Sequence, residues 1–406
     1  MHDVSVTPAA LEARQGSPAA LADALQASRL DTLATSAVYE EALPTLAVPL
    51  QAELNPPLWE LGHIGWFQEF WLARNPVRGH GAAADPDLPR GRPVRPDADA
   101  LYDSSKVPHD SRWALPLPDA EGTRAELARQ LAGTLALLRE AGDHDDALYF
   151  FRLALLHEDM HHEAALYMAQ ALGIAMADAR WQAAALPEPP ARIALQPARW
   201  ILGSAASPGF AFDNELRSQA VELAETLIDA QAVRWAEYLP FVDAGGYTTD
   251  RWWSSAGLQW RTNRNVVAPR YLRRDGTAWQ QWRHGRWQAL NPAEAAIHLT
   301  YHEAEAWCRW AGRRLPTEAQ WECAALSRPN EFRWGDVWEW TASPFQPFPG
   351  FAPHPYRDYS APWFDGRPVL RGASFMTQPR MRHPRYRNFF PAHRNDVPAG
   401  FRTCAM

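Results

Sequence analysis

Up to about residue 185, apolar residues recur at spacings of three and four, the period of helices buried along one face. Ser17-Pro18 stands ahead of Leu21, Leu25 and Leu30, an N-cap serine and a first-turn proline that predict a helix start. Pro56-Pro57 opens a second run, with Trp59, Trp66, Phe67 and Phe70. Thr123-Arg-Ala-Glu126 has the capping-box pattern and leads into Leu127, Leu131, Leu135 and Leu138; Gly142 breaks that run and Asp145 opens the next. Four long helices predict an up-and-down bundle, in which metal sites form between facing helices. Arg74 to Pro118, rich in Pro, Asp and Arg, has no helical period and predicts a long crossing loop of the kind that often carries function.

The pattern changes after Leu186-Pro-Glu-Pro-Pro190. Trp, Gly, Arg and Pro take over, and helical signals shorten to Tyr301–Ala311 and Glu318–Ala325. Two domains are expected, 1–185 and 186–406, the second dominated by loops. Twenty tryptophans suit it, because indole rings fill a core while their N–H groups pin loop backbones.

A chain of 406 residues exceeds what one core usually holds. The net charge of −7, with no Lys/Arg block, argues against nucleic acid or an anionic membrane as partner and leaves small molecules. Three scattered cysteines, Cys308, Cys323 and Cys404, make no disulfide framework, and no apolar run of signal-peptide type follows Met1. The expected location is the reducing cytoplasm. No stretch approaches the roughly 20 apolar residues needed to span a bilayer.

The strongest chemical signal is His157-Glu-Asp-Met-His161-His-Glu163. Histidines four apart on a helix share a face, so His157 and His161 can grip one ion, whereas His162 is turned well away. A third ligand is needed. His63, on the aromatic face of the second helix, is the candidate, since a buried imidazole needs a polar partner or a metal; a backbone-bonded core histidine is the alternative. Three neutral imidazoles with open positions suit Fe(II) or Zn(II). His157-Glu158-x-x-His161 also fits the zinc-protease pattern, with Glu158 as base, but no further histidine or glutamate stands in a recognisable protease context.

Leu-Gly-His63 paired with His157-Glu-x-x-His161-His-Glu163, ahead of a Trp/Gly-rich half, resembles the ergothioneine-type sulfoxide synthases, which are non-haem iron enzymes. The second half resembles the formylglycine-generating-enzyme fold, C-type-lectin-like, through Ile201-Leu-Gly-Ser204, Phe212-Asp-Asn-Glu215, Gly245-Gly-Tyr247, the run Cys308 to Glu318, Val337-Trp-Glu-Trp-Thr341, Val369 to Ser374, Tyr386-Arg-Asn-Phe-Phe390 and Gly400-Phe-Arg402. The resemblance implies an α+β chain: a DinB-like four-helix domain supplying His63, His157 and His161 to Fe(II), capped by the formylglycine-type domain. It also implies O2 as co-substrate and hercynine, the trimethylammonium betaine of histidine, as acceptor at its imidazole C2. Asn388 matches the family's asparagine near the betaine carboxylate. Phe389 and Phe390 either hold the ammonium by cation–π attraction, worth about 0.5–2 kcal/mol, or serve packing.

Two departures from the family bear on the donor. Enzymes that use γ-glutamylcysteine carry an Arg-x-x-Arg element in the crossing loop; here Leu101 to Pro118 keeps only Arg112, with Lys106 and His109 nearby. Losing one arm of a bidentate clamp disfavours a dicarboxylate donor, and Asp103, Ser104, Ser105 and Asp110 could bind sugar hydroxyls or simply make turns. Second, the tyrosine expected after Trp-Glu-Trp-Thr is absent, and Phe345, Phe348 and Phe351 hold the aromatic positions. Tyr356 or Tyr359 then takes over proton donation, or a more readily oxidised chalcogen needs less help. Together these features resemble the selenoneine synthase branch, which joins a selenosugar to hercynine. Ergothioneine-type synthesis with γ-glutamylcysteine or cysteine is the alternative. A formylglycine-generating activity lacks its copper-binding cysteine pair here, and a non-catalytic metal scaffold would bind without consuming O2.

Overall fold

The computed structural model describes residues 6–406, so the first five residues of the segment expected at 1–185 lie outside it. Helices α1 (Pro8–Gln15) and α2 (Pro18–Ala42) begin at capping side chains, Thr7 and Ser17 accepting the N–H groups of Ala10 and Ala20. They are followed by α3 (Pro57–Trp71), short α4 (Ala98–Tyr102), α5 (Ala120–Arg139) and α6 (Asp145–Leu172). The four long helices pack as a bundle, α2 against α5 and α6, α3 against α5 and α6. Leu21, Leu25, Trp59, Phe67, Leu138 and Phe150 are buried in its core. No described helix is long and apolar enough to cross a membrane.

Two details differ from the sequence reading. Helix α5 starts earlier than Thr123: Asp119 is the N-cap, accepting the Gly122 N–H at 2.8 Å. Thr123 lies inside the first turn, and Glu126 accepts Arg95 of the crossing loop at 2.6 Å instead of capping its own helix. A carboxylate cap with a tertiary partner downstream outweighs the local box. The crossing loop, in turn, holds α4 and two 3-10 turns, Arg78–Ala83 and His109–Ala114. Arg74 fixes it by a two-pronged pair to Asp99, both contacts at 2.7 Å. These short turns have too few residues to show a period.

The second half carries α7 (Trp235–Asp243), α8 (Ser255–Asn263), α9 (Tyr301–Trp310) and α10 (Glu318–Ser327) among short strands. Strands β1 (Ile193–Leu195), β2 (Ala198–Leu202), β3 (Gln219–Leu223) and β4 (Thr226–Ile228) precede the meander β5 (Leu272–Asp275), β6 (Ala278–Arg283) and β7 (Arg286–Ala289). Then follow β8 (Arg313–Arg314), β9 (Trp338–Pro344), β10 (Pro368–Gly372), β11 (Asn388–Phe389), β12 (Ala399–Gly400) and β13 (Cys404–Ala405). The sheets run β1-β4-β13-β8, β11-β10-β9-β12, β2-β3 and β5-β6-β7. In the second, Leu370 of β10 lies between Trp340 of β9 and Asn388 of β11, which places β11 at the sheet edge.

Indoles and buried ion pairs hold this loop-rich half. Trp340 donates to the Leu299 carbonyl and Trp321 to Glu339, each at 2.8 Å. Arg371, Arg387 and Arg402 are fully buried on Glu322, Glu318 and Glu339. Each charge has a charged partner, which offsets its desolvation. A helical bundle joined to a mixed, loop-rich half makes the fold α+β.

Candidate metal centre

His63 comes from α3, and His157 and His161 from successive turns of α6. The ligand nitrogens of the three lie within 4.8 Å of one another. The His63 ring is stacked on Trp59, centroids 4.7 Å apart, and its Nδ1 donates to the Tyr102 carbonyl at 2.8 Å, leaving Nε2 free. Gly62 permits that bond, because a Cβ there would lie 2.2 Å from the Tyr102 ring. His157 lies flat against Phe67 at 3.5 Å. His161 directs Nδ1 to Glu60 Oε2 at 2.5 Å and Nε2 toward His157 Nε2 at 3.2 Å.

Electrostatics favour metal binding. Burial, reinforced by the neighbouring imidazoles, lowers His63 to about 3 and His157 well below its usual value, so both are neutral near pH 7. Burial alone would raise Glu60, but the facing histidines and Arg112 hold it below the usual carboxylate range. Because Glu60 holds the Nδ1 side of the His161 ring, Nε2 is the nitrogen left to face an ion. The Nε2 atoms of His161 and His157 stand 3.2 Å apart. Nitrogens that share one ion at about 2.0–2.1 Å stand roughly 3–3.4 Å apart. His157 and His161 therefore stand at ligand spacing, and His63, within 4.8 Å, completes a set of three imidazoles that suits a divalent metal.

The neighbouring residues do other work. His162 faces away, bonded to Thr35 at 3.0 Å and Gln378 at 3.2 Å, with burial lowering it to about 4. Both oxygens of Glu158 are taken by Arg29, at 2.7 and 3.0 Å, so Glu158 is a buried strut and not the free base that a zinc-protease pattern requires. The three cysteines are free and buried.

A cleft of about 560 Å³ opens on His157 and His161. Ser104, Ser105 and Arg112 of the crossing loop form one wall, and Tyr356, Tyr359, Trp363 and Phe389 of the second half form another. Arg112 lies 3.8 Å over the Trp59 ring and donates to Asn55 at 2.8 Å. The Tyr356 ring packs edge-on to His157 at 6.1 Å, and the Tyr359 hydroxyl donates to Tyr386 at 3.0 Å. Asn388 and Phe390 flank Phe389 but are not in the cleft lining: Asn388 accepts the Phe389 N–H at 2.9 Å, and Phe390 lies under Arg394. Phe345 and Phe348 are buried, Phe345 stacked on Phe389 at 4.1 Å and Phe348 beneath Arg387. Sequence reasoning missed Glu60, Asn55 and Met160, the last of which also lines the cleft. Glu60 had one available signal, an acidic residue one turn before His63 in an otherwise aromatic run.

Residues 181–336 match the sulfatase-modifying factor enzyme 1-like domain. A hercynine oxygenase of Mycolicibacterium smegmatis is 31% identical over 438 aligned residues, covering 94% of this chain and 97% of the relative. The hercynine oxygenase of Mycobacterium tuberculosis is 31% identical, covering 86% and 90%. A formylglycine-generating enzyme of Streptomyces coelicolor is 33% identical over 174 residues, 38% of this chain and 55% of its own length. The hercynine oxygenases align with both the histidine-bearing bundle and the loop-rich half, and this chain belongs to their family, the oxidoreductases named hercynine oxygenases.

Proposed function

We propose that this enzyme holds Fe(II) on His63, His157 and His161 and uses O2 to join the selenium of a selenosugar to the imidazole C2 of hercynine. The metal supplies the redox chemistry that lets O2 oxidise the pair of substrates. The observation that carries the reading is the convergence of the three histidines at one end of a cleft walled by both halves of the chain. In this reading residues 1–185 are the iron-binding domain, residues 186–406 cap it, and the enzyme works in the cytoplasm on small molecules.

The side chains divide the work. Phe389 offers a ring face to the trimethylammonium group from the cleft wall, and Asn388 and Phe390, its neighbours outside the lining, reach the acceptor only if their side chains turn toward the cleft. Tyr356 and Tyr359 are the proton donors of the cleft. Burial raises both phenols above their ordinary value, so each keeps its proton until a base forms next to it. Arg112 faces the donor.

The donor assignment rests on charge. Past Ser104, Ser105, Tyr356 and Asp358 the cleft meets a second chamber of about 270 Å³ walled by Trp66, Phe70 and Trp71. Its charged rim holds Asp87, Asp103 and Asp358 against Lys106 and Arg357. Both cations are already engaged, Lys106 by Asp103 at 2.7 Å and Arg357 by Asp87 at 3.0 Å. These lining charges disfavour a dicarboxylate and leave a neutral polyol hydroxyl acceptors, while Arg90, 4.8 Å over the Phe70 ring and 5.0 Å over Trp71, is the nearby cation that works the other way. The thiol-donor reading, with γ-glutamylcysteine or cysteine, is supported by the full-length identity to hercynine oxygenases and by the Arg112 Nε, a buried donor without a partner.

The test offers selenosugar, γ-glutamylcysteine and cysteine in competition to the Fe(II)-loaded protein with hercynine and O2, and identifies the product by mass. A selenium-bearing imidazole supports the first reading. A sulfoxide adduct establishes the second, and no O2 consumption with any donor removes both.

A further inference from the structure

The metal-facing imidazole of His161 is the end of a hydrogen-bonded chain that begins in the cleft. Arg112 Nη1 donates to Asn55 Oδ1 at 2.8 Å, Asn55 Nδ2 donates to Glu60 Oε1 at 2.6 Å, and Glu60 Oε2 accepts the His161 Nδ1–H at 2.5 Å. The chain has one direction. A guanidinium has only donors and an ionised carboxylate only acceptors, so the Asn55 amide between them must present its oxygen to Arg112 and its nitrogen to Glu60. Every polar atom of Asn55 and Glu60 that joins the chain is used, and Glu60 is 6% exposed, so water does not compete for it.

A second contact runs alongside. The Arg112 guanidinium lies 3.8 Å above the Trp59 ring, and the same indole stacks on the His63 ring, 4.7 Å away and nearly parallel. Arg112 is thus tied to two of the three imidazoles, through bonds to one and through a stack to the other, while its own Nε is buried without a partner. A group that binds Arg112 in the cleft changes what the guanidinium can give to Asn55.

We propose that Glu60 and Asn55 are positioning residues of the metal centre, forming with Arg112 a relay that sets the orientation and tautomer of His161 according to what occupies the cleft. The inference rests on the assignment of the three histidines as metal ligands. Glu60 must stay a pure acceptor for the relay to work: an amide in its place can serve Asn55 or His161 but not both in the same sense, which pushes the His161 proton toward Nε2, where the ion binds.

The test reads metal binding without turnover. Cobalt(II) is titrated into metal-free protein and followed by its visible absorption, for the unaltered chain, Glu60→Gln, Glu60→Asp, Asn55→Ala, Arg112→Ala and the double variant Asn55→Ala/Arg112→Ala. Glu60→Gln is expected to weaken cobalt binding about 10–100-fold, the usual effect of removing a hydrogen-bond partner of a ligand histidine. Glu60→Asp, which keeps the acceptor, should restore part of it. Asn55→Ala and Arg112→Ala should each shift the absorption and weaken binding by a smaller factor, and the double variant should be no weaker than the worse single one, because the two act through one chain. Melting of the metal-free proteins identifies any variant that fails to fold, and Glu60→Asp carries the test if Glu60→Gln does. Unchanged cobalt affinity and spectrum in Glu60→Gln, or fully additive losses in the double variant, overturns the relay. If His63→Ala and His157→Ala bind cobalt as the unaltered chain does, the metal assignment itself is wrong, a separate failure.

Discussion

Glu163 Oε1 accepts the indole N–H of Trp338 at 2.7 Å, joining the helix that carries two of the converging histidines to the β9 strand of the other half. Ser374 and Thr377 donate to the same oxygen, each at 2.8 Å. Burial raises the Glu163 carboxyl, and these donors work against that rise. Because Glu163 lies two residues past His161, the three bonds also fix how α6 is rotated toward the cleft.

Trp338→Phe keeps most of the ring but withdraws one donor from this buried acceptor. We expect a loss of about 1–3 kcal/mol, the cost of leaving a buried polar group short of a partner. Denaturant unfolding followed by tryptophan fluorescence and far-UV dichroism checks it. An unchanged midpoint means that packing alone holds the two halves together.

Alanine at His63, His157 or His161 should remove bound iron and all activity, since only two imidazoles then remain to hold the ion. His162→Ala should keep iron at full stoichiometry and lose about 1–3 kcal/mol of stability, because Thr35 and Gln378 lose their partner. Metal analysis of the four purified variants, beside their unfolding midpoints, separates ligand from strut. Iron lost from His162→Ala, or retained by any of the other three, contradicts the assignment.

Phenylalanines 345 and 348 follow the Trp-Glu-Trp-Thr stretch, yet both are buried away from the cleft lining, whereas Tyr356 and Tyr359 line it. Phe345→Tyr and Phe348→Tyr should therefore cost about 1–3 kcal/mol in stability, for a buried hydroxyl without a built partner, and leave the product unchanged. Tyr356→Phe should leave stability nearly unchanged, Tyr359→Phe should cost about 1 kcal/mol for the bond to Tyr386, and both should alter the balance between carbon–chalcogen bond formation and simple donor oxidation. Product ratios by mass spectrometry decide it; a product shift in Phe345→Tyr alone would return proton donation to that position.

The parts of this fold legible in the sequence are those with short-range causes. Ser17-Pro18, Pro57 and the His157/His161 spacing act within one or two helical turns, and the helices begin and face where those residues direct. The loop-rich half was readable only as composition, because its order comes from pairs remote in sequence, such as Trp338 with Glu163 or Arg387 with Glu318. The same limit hid Glu60: its partner His161 is 101 residues away, and a glutamate within an aromatic run reads locally as a surface position. Asn55 was hidden for the same reason, its role depending on Arg112 across the crossing loop.

His298 is buried, with Nδ1 3.1 Å from the Val397 carbonyl, and burial together with Arg270 and Arg283 lowers it to about 3, against the opposing pull of Asp396. The folded chain thus refuses a proton that the unfolded chain takes up near pH 6.5. Below that pH the unfolded state binds more protons, so stability falls as pH drops from about 6.5 toward 3 and is fully present above it. Between pH 7 and pH 5 this one group accounts for a loss of about 2 kcal/mol. The backbone at 298 is left-handed, with φ of 61°, a conformation asparagine adopts more readily than most residues. His298→Asn should therefore fold and should lose about 2 kcal/mol less than the unaltered chain over that interval, whatever its stability at pH 7. Urea unfolding of the metal-free proteins at pH 7 and pH 5 measures the difference, and parallel losses in the two proteins would mean that His298 is protonated in the folded state.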